Sequence, residues 1–378
     1  MHKEVITIKK ILFGITSLTL GGAERVLVDI SNKLSEKYDI TIFSIYDNGE
    51  LKNDLNKNVK FKALYNCRYD ELTKLQKMWI PIKILLFSKI IYNKKIKQNY
   101  DTEIAFLEGP ITRLFSTKNK DVHKIAWIHN DIEKVFGNDL KSKIKKYIDK
   151  NIYKKYNDLV FVSQDNMEKF QNIYNDLNTE NMHVIYNYID KDLVIKKSNY
   201  NIKVEFDYNS INFLTVCRLV KQKAIDRFIR VHSKLIKQGL KHKVYIIGDG
   251  PEKENLQKLI KQENVEDTFI LLGKKENPYP YIKNANYFCL LSEFEGYGMV
   301  LEEAKILNKP IIITNTAARE CIENYPKALI LENSEDEIYD GLYKLLNDND
   351  DKIFNNTQTN TEYDNTEKLQ KIIELVGD

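Results

Sequence analysis

The feature that most constrains the fold of this chain is a regular alternation of short apolar runs with longer amphipathic stretches. The first half contains the runs KKILFGI, DITIFSI, VKFKAL, TEIAFL, KIAWIH, LVFVS and HVIYN, and the second half contains INFLTVC, KVYIIG, FILLG, YFCLLS, PIIIT and ALILE. Runs that are apolar throughout are typical of parallel strands covered on both faces, and the stretches between them suit crossover helices. The pattern therefore predicts an α/β fold with parallel sheets.

The amphipathic stretches carry their apolar residues on one face. In GAERVLVDISNKLSEK these residues are Ala23, Val26, Leu27, Ile30 and Leu34, which recur at helical spacing. A chain of 378 residues is too long for one ordinary core, so two domains are expected. We interpret the weakly periodic polar segment from Asp190 to Ser210 as the linker between two Rossmann-like domains.

The expected domains cover residues 1–195 and 196–355. A C-terminal segment, residues 356–378, contains TEKLQKIIELVGD, a helix that we expect to return to the first domain. In folds of this kind ligands bind beyond the carboxyl ends of the strands. Two such sheets predict a central cleft between the domains. The polar stretch DNDDKIFNNTQTNTEYDN near the end of the chain is expected to form a loop.

Composition excludes several classes of protein. Hydrophobic residues make up 43% and charged residues 30%, and the formal net charge is only +4, so no nucleic-acid partner is expected. Cys67, Cys217, Cys289 and Cys321 are widely separated and have no histidines at metal-ligand spacing, which predicts free thiols in a reducing compartment. The sequence shows neither a signal peptide nor an apolar run of about 18 residues. We therefore expect a cytoplasmic protein.

Glycines follow two of the predicted strands. Gly21 and Gly22 precede a helix, where small residues let backbone N–H groups approach an anion, although a tight turn explains them equally well. The stretch IIGDGPEKENL resembles part of a dinucleotide fingerprint but has no third glycine. We interpret it as a turn followed by a helix cap.

Charged and titratable residues follow other strands. Arg218 and Lys223 lie in the exit loop CRLVKQK, where two cations can clamp a diphosphate and neutralise the charge of a leaving group. His129, with Asn130 and Asp131 beside it, ends the strand IAWIH, and Glu108 follows the strand TEIAFL. A structural histidine and a helix-entry cap remain open as alternative roles for His129 and Glu108.

The stretch SEFEGYGMVLEEAKILNKPIIIT sets two acids between two buried strands. Glu295 falls in the loop that precedes a helix, and Glu303 falls about a turn inside that helix. Carboxylates there can accept hydrogen bonds from sugar and ribose hydroxyls, while the backbone N–H groups of residues 296–300 can meet phosphate oxygens. The alternative is that Glu302 and Glu303 are acids of the first helical turns that complement the helix dipole.

EGYGMVLEEA resembles the E-x7-E signature of the family 4 glycosyltransferases, which have the GT-B fold of two Rossmann-like domains facing a central cleft. The resemblance covers most of the chain, because GGAERVL, IAWIHN, VIYNYID, CRLVKQK, GDGPEKENL, the E-x7-E stretch and KPIIIT follow in the family's order. It departs at Cys217 and Ala224, where glycine is common, and at Tyr297, where phenylalanine is common. These residues remove no charged group that the chemistry needs.

The resemblance implies a retaining transferase that moves a hexose or N-acetylhexosamine from a nucleotide sugar, with uracil the expected base, and needs no metal or other cofactor. It implies that Glu303 holds the donor ribose, Glu295 the transferred sugar, and Arg218 and Lys223 the diphosphate. His129 would line the sugar site, and the catalytic set would be Glu295, His129, Arg218 and Lys223. Further donor-binding residues would be Gly21, Gly22, Gly296, Tyr297, Gly298, Met299, Val300 and Leu301.

The resemblance also implies a first domain that binds the acceptor and a second that binds the donor. Bacterial relatives of this type build capsule, O-antigen, lipopolysaccharide or other surface glycans, so a glycan acceptor on a polyprenyl-diphosphate carrier is expected. Residues 77–98 and 141–156 are basic and carry aromatic residues, which suits peripheral contact with an anionic membrane at the inner face of the cell membrane. A core-packing helix with a solvated lysine face is the alternative.

Two other functions are compatible with the same architecture. A sugar-nucleotide epimerase would bind the nucleotide without an acceptor, and a non-catalytic partner subunit would keep the fold without turnover. The E-x7-E set favours transfer over the first, and retention of Glu295, Glu303, Arg218 and Lys223 argues against the second. A dehydrogenase would need a dinucleotide fingerprint, which we do not find.

Overall fold

A computed structural model describes residues 8–19, 21–47, 49–96, 99–117, 121–130, 140–347, 354 and 363–377. Asp131, residues 97–98 and most of the polar stretch before the last helix lie outside the described residues. The chain divides into two units, which comprise residues 1–189 with 365–378 and residues 190–364. Each unit contains one parallel sheet flanked by helices, as an α/β chain of two Rossmann-like domains requires.

The sheet of the first unit has seven strands. They are β1 (Lys10–Ile15), β2 (Asp39–Tyr46), β3 (Lys60–Tyr65), β4 (Thr102–Ala105), β5 (His123–Ile128), β6 (Asp158–Phe161) and β7 (Met182–Val184), in the spatial order β3-β2-β1-β4-β5-β6-β7. Its helices are α1 (Gly22–Leu34), α2 (Lys74–Lys95), α3 (Pro110–Phe115), α4 (Leu140–Tyr153) and α5 (Gln164–Ile173). The strand order reverses between β1 and β4, which makes this edge a topological switch point where ligands of such folds bind.

The sheet of the second unit has six strands. They are β8 (Ile211–Val216), β9 (His242–Ile247), β10 (Phe269–Gly273), β11 (Tyr287–Leu290), β12 (Ile311–Thr314) and β13 (Ala328–Leu331), in the order β10-β9-β8-β11-β12-β13. Its helices are α6 (Lys191–Ser198), α7 (Ile225–Lys237), α8 (Lys253–Gln262), α9 (Tyr279–Asn284), α10 (Met299–Ile306) and α11 (Glu335–Asn347). The switch point of this sheet lies between β8 and β11.

All thirteen apolar runs of the sequence contain strands of these two sheets, which confirms the predicted α/β fold with parallel strands. Most strands are buried along their length because helices cover both faces. Helix α1 buries the expected Val26, Leu27, Ile30 and Leu34. Removing such apolar surface from water supplies about 25 cal/mol per Å² toward folding.

The segment from Asp190 to Ser210, expected to be a linker, begins with a helix. Asp190 caps α6 by accepting a hydrogen bond from the backbone N–H of Leu193 at 2.9 Å. The carbonyl of Lys197 accepts a hydrogen bond from Asn277 at 2.8 Å, which ties α6 to the second unit. The sequence pattern did not predict this helix because its buried residues, Val194 and Ser198, form no apolar stripe.

The last helix, α12 (Thr366–Gly377), packs in the first unit. Lys9 donates a hydrogen bond to the carbonyl of Gly377 at 2.5 Å, and Ile372 and Val376 are buried.

Candidate functional site

The loop that follows β8 lies against the loop that follows β9. The N–H of Leu219 donates to the carbonyl of Asp249 at 3.0 Å. A Cβ atom on Gly248, whose φ is +148°, would fall 1.8 Å from the carbonyl oxygen of Cys217, so only glycine permits this approach. The glycines of IIGDGPEKENL therefore serve packing between the two loops, and this packing supports the exposed Arg218.

Lys223 ends a short 3₁₀ turn, Lys221–Lys223, that lies beside the loop after β11. The two segments are joined by two hydrogen bonds of 2.9 Å, from Gln222 Nε2 to the carbonyl of Phe294 and from the N–H of Glu293 to the carbonyl of Gln222. Lys223 is thereby held next to this loop, residues 291–298, which we call the acidic loop because it contains Glu293 and Glu295. The next residue, Ala224, has φ +47°, a left-handed conformation that favours glycine, the residue that the resemblance leads one to expect here.

Glu295 is buried in the acidic loop, with 9% of its surface exposed. Its Oε1 accepts a hydrogen bond from the ammonium of Lys223 and another from the hydroxyl of Ser292 at 2.5 Å. The Ser292 carbonyl in turn accepts a hydrogen bond from Thr314 at 2.6 Å, which fixes the loop to the end of β12. A buried carboxylate is stable only when it is paired and hydrogen-bonded, and these contacts meet that requirement.

Helix α10 begins directly after the acidic loop. Gly298, with φ 71° and ψ 66°, is its N-cap residue, and a left-handed turn of this kind favours glycine. The N–H groups at the start of a helix are free of intrahelical partners and favour anions. The N–H of Leu301 already donates to the carbonyl of Gly298 at 2.8 Å, which leaves Met299 and Val300 better placed to bind a ligand.

Glu302 and Glu303 of α10 differ in their burial and in their hydrogen-bond partners. Glu303 is half-buried, and its carboxylate accepts a hydrogen bond from the Tyr279 hydroxyl at 3.1 Å. Glu302 is 1% exposed and accepts a hydrogen bond from the buried Tyr297 hydroxyl, while Lys305 lies 3.5 Å from its other oxygen. The side chain of Tyr297 therefore packs inside the second unit, where it connects the loop to α10.

In the first unit, Gly21 is the N-cap residue of α1 and Gly22 is its first residue. A Cβ atom on Gly21 would fall 2.2 Å from a carboxylate oxygen of Glu24, so Glu24 folds back over the helix N-terminus. Burial raises the pKa of Glu24. The sequence analysis did not single out Glu24, because an acid in the first turn is ordinary in helices.

His129 lies at the carboxyl end of β5, with its ring centroid 4.6 Å from that of Phe106. Burial lowers the pKa of His129 to about 3, so the imidazole is neutral at physiological pH. Its Nε2 is buried and has no hydrogen-bond partner within the described part of the chain. A neutral imidazole with an available nitrogen is suited to a ligand hydroxyl.

Glu108 positions the backbone around His129. Its carboxylate accepts hydrogen bonds from the N–H groups of His129 and Asn130 at 2.5 and 2.7 Å, and from the Asn130 side chain at 2.9 Å. Burial raises the pKa of Glu108. Of its two candidate roles, ligand contact and structural cap, the structure shows the cap, made to the β5 exit loop and not to a helix.

The structure thus brings Lys223, Ser292 and Glu295 together and places α10 directly after them. In the first unit, Gly21 and Gly22 lie at the start of α1, the helix that follows β1, and His129 directly follows β5. The roles assigned to all of these residues remain predictions. No helix among the described residues has the length and apolarity needed to cross a membrane.

Comparison with known proteins gives the class. Residues 196–363 match the family described as "Glycosyl transferases group 1". The Anabaena protein HepE, solved in complex with UDP and glucose, has a TM-score of 0.73 and 16% identity, with 97% of this chain and 98% of that chain covered. Residues 196–363 therefore belong to the group 1, family 4 glycosyltransferases, and the chain has the GT-B fold.

Two relatives extend the comparison. N-acetylgalactosamine-N,N'-diacetylbacillosaminyl-diphospho-undecaprenol 4-alpha-N-acetylgalactosaminyltransferase of Campylobacter jejuni is 28% identical over 342 residues, which cover 88% of this chain and 89% of the relative. The O-antigen biosynthesis glycosyltransferase WclY of Escherichia coli is 24% identical over 318 residues, covering 81% and 80%. Both relatives are named as glycosyltransferases, in agreement with the family match of residues 196–363.

Proposed function

We propose that the protein transfers a hexose or N-acetylhexosamine from a UDP-sugar to a glycan acceptor on a polyprenyl-diphosphate carrier, during synthesis of a cell-surface polysaccharide. The observation that carries this proposal is the buried Glu295, paired with Lys223 and Ser292 directly before helix α10. The similarity to an undecaprenol-diphosphate-dependent transferase and to a UDP-bound structure supports the choice of acceptor and donor.

The donor diphosphate is proposed to bind between cations and a helix N-terminus. Arg218 is exposed and offers a guanidinium fork, and Lys223 offers an ammonium with three N–H donors, so one cation can contact both Glu295 and a phosphate. The N–H groups of Met299 and Val300 add a third source of positive potential. These groups would stabilise the leaving diphosphate without a metal ion.

Two acids are proposed to read the sugars of the donor. Glu303, oriented by Tyr279, would accept hydrogen bonds from the ribose hydroxyls. Glu295, oriented by Ser292, would accept them from the transferred sugar. The neutral His129 would contact a hydroxyl of that sugar through Nε2.

The proposed chemistry is a front-face displacement. The bond between the anomeric carbon and the diphosphate oxygen breaks, the acceptor oxygen bonds to the same face of that carbon, and the acceptor proton passes to the diphosphate. UDP leaves and the anomeric configuration is retained. Glu295 positions the sugar and stabilises charge, in contrast to the carboxylate nucleophile of retaining glycosidases.

A donor screen tests this proposal. The melting temperature and the release of nucleotide would be measured with UDP-sugars, GDP-sugars and the free nucleotides, for wild type, for Glu303→Ala and for Glu293→Ala. Glu293 is an exposed acid of the same loop and serves as the matched control. A UDP-sugar should stabilise wild type and Glu293→Ala but act only weakly on Glu303→Ala. No stabilisation of folded wild type by any nucleotide sugar would contradict the donor site and favour a non-catalytic subunit.

A further inference from the structure

Helix α2 of the first unit is apolar on two sides. One side is buried in the core through Ile80, Ile84 and Tyr92. The other side exposes a row of large apolar residues at helical spacing, namely Leu75, Met78, Trp79, Ile82, Leu86, Phe87 and Ile90. Leu75 and Leu86 are 66% and 67% exposed. A contiguous apolar face of this size on a surface marks a docking site, whereas single exposed apolar residues do not.

The charges of α2 have one sign. Its 22 residues contain six lysines and no Asp or Glu. Lys77 lies over the ring of Tyr69, with its Nζ 4.8 Å from the centroid, and Lys83 lies 5.9 Å from the centroid of Tyr65. The apolar face is therefore accompanied by cationic side chains only, and lysines beside an apolar face are found in helices that lie in the interface of a bilayer.

A groove of about 440 Å³ opens along the same face. Its walls are mainly apolar side chains, among them Tyr65, Leu72, Trp79, Leu86 and Phe87. Lys83 also lines the groove. The backbone of α2 is kinked at Phe87, where φ is −117° and ψ is 18°. The groove gives the face a depth that a flat helix surface lacks.

We infer that this face of α2 docks on an anionic lipid bilayer, with the apolar row below the headgroups, the lysines at lipid phosphates and a lipid hydrocarbon chain in the groove. Charge decides between the possible occupants. A second copy of the chain would bring two sets of six lysines face to face, whereas an anionic bilayer supplies both the negative charge and the apolar surface. This surface shares no residue with the proposed donor site.

Vesicle flotation tests the inference with the full chain. Phosphatidylcholine vesicles would be compared with vesicles that also contain phosphatidylglycerol. The double substitution Ile82→Glu and Leu86→Glu places two carboxylates at exposed positions, so the fold should survive while binding to anionic vesicles falls at least tenfold. Ile202→Glu with Tyr208→Glu, at exposed apolar residues of the second unit, is the matched control and should float like wild type.

The two tryptophans give a site-specific readout. Trp79 is 58% exposed on the docking face, whereas Trp127 is 1% exposed in the core. Anionic vesicles should shift tryptophan emission to the blue in wild type, and Trp79→Phe should lose the shift but still float. Binding should weaken as salt is raised, because the lysine contacts are screened.

Three results would overturn the inference. In the first, wild type does not float with anionic vesicles. In the second, the Ile82→Glu and Leu86→Glu pair leaves flotation unchanged. In the third, wild type does not bind vesicles, light scattering shows that it is a dimer, and the same pair of substitutions dissociates that dimer. The third result would assign the face to a second copy of the chain. Glu303→Ala should float like wild type, so a failure of the donor site can be told apart from a failure of the docking face.

Discussion

The buried contact between Tyr297 and Glu302 gives a prediction that links packing to donor binding. Tyr297 belongs to the acidic loop, its hydroxyl donates to the Glu302 carboxylate, and both residues are at least 95% buried. Tyr297→Phe removes this donor from a buried charge. A hydrogen bond to a charged group is worth about 1.5–3 kcal/mol, so we expect a loss of about 2 kcal/mol in the stability of the second unit.

Glu302→Leu should cost a similar amount, because it removes the carboxylate that accepts the hydrogen bond of the buried Tyr297 hydroxyl and one of the partners of Lys305. Replacing both partners of a buried hydrogen bond by apolar groups of similar shape is often close to neutral. The double variant Tyr297→Phe with Glu302→Leu should therefore be more stable than either single variant, with a coupling energy of about 2 kcal/mol.

Urea unfolding of the four proteins measures this cycle, and donor titrations of the same proteins measure its effect on the loop. The single variants should also raise the KM for the donor. The increase is up to about tenfold if most of the lost free energy comes from displacement of the acidic loop. The double variant should recover much of this loss. Additive effects of the two substitutions on stability would refute the reasoning.

Three further predictions concern titration, a buried ion pair and metals. Burial lowers the pKa of His232 to about 2 and that of His242 to about 4. Because the unfolded chain takes up these protons below about pH 6.5 and the folded chain does not, lowering the pH from 7 to 5 should reduce the free energy of unfolding by about 2 kcal/mol per histidine. Urea unfolding measures this loss, and equal stability at both pH values would contradict the prediction. Lys124 is 1% exposed and lies 2.6 Å from Glu103. Lys124→Met should destabilise the first unit by about 3–5 kcal/mol, because it leaves Glu103 buried without its ion-pair partner. The double variant Lys124→Met with Glu103→Leu should recover most of this loss, and a single variant as stable as wild type would show that the pair does not contribute to stability. Transfer activity should survive dialysis against EDTA, because the proposed mechanism assigns the diphosphate charge to protein cations; a loss of activity that Mg²⁺ restores would show that the mechanism needs a metal.

The parts of the fold that follow from local periodicity could be predicted from sequence. Each strand is a continuous apolar run, and α1 repeats its apolar residues every three or four positions, so neighbouring residues carry the whole signal. The order of Glu295, Gly298 and Glu303 likewise places the two acids on a loop and on a helix, as the structure shows.

Contacts between distant segments could not be predicted in this way. Glu108 caps the backbone of His129, which lies 21 residues away, and Lys223 pairs with Glu295 across 72 residues. Nothing in the local pattern distinguishes the buried Glu302 from the half-buried Glu303 beside it. The sequence of α2 was compatible with a core role and with a membrane role, because a helix with apolar residues on two sides does not reveal which side its neighbours cover.

The measurement that tests the donor site most directly is calorimetric titration of a UDP-sugar into wild type, Lys223→Met and Lys221→Met. Lys221 begins the same 3₁₀ turn but is exposed, so it controls for the loss of one positive charge. If Lys223 binds the diphosphate beside Glu295, Lys223→Met should weaken binding by about tenfold to a hundredfold, the equivalent of one charge-assisted hydrogen bond. Lys221→Met should bind like wild type. Equal affinity in all three folded proteins would contradict the donor site proposed for this glycosyltransferase.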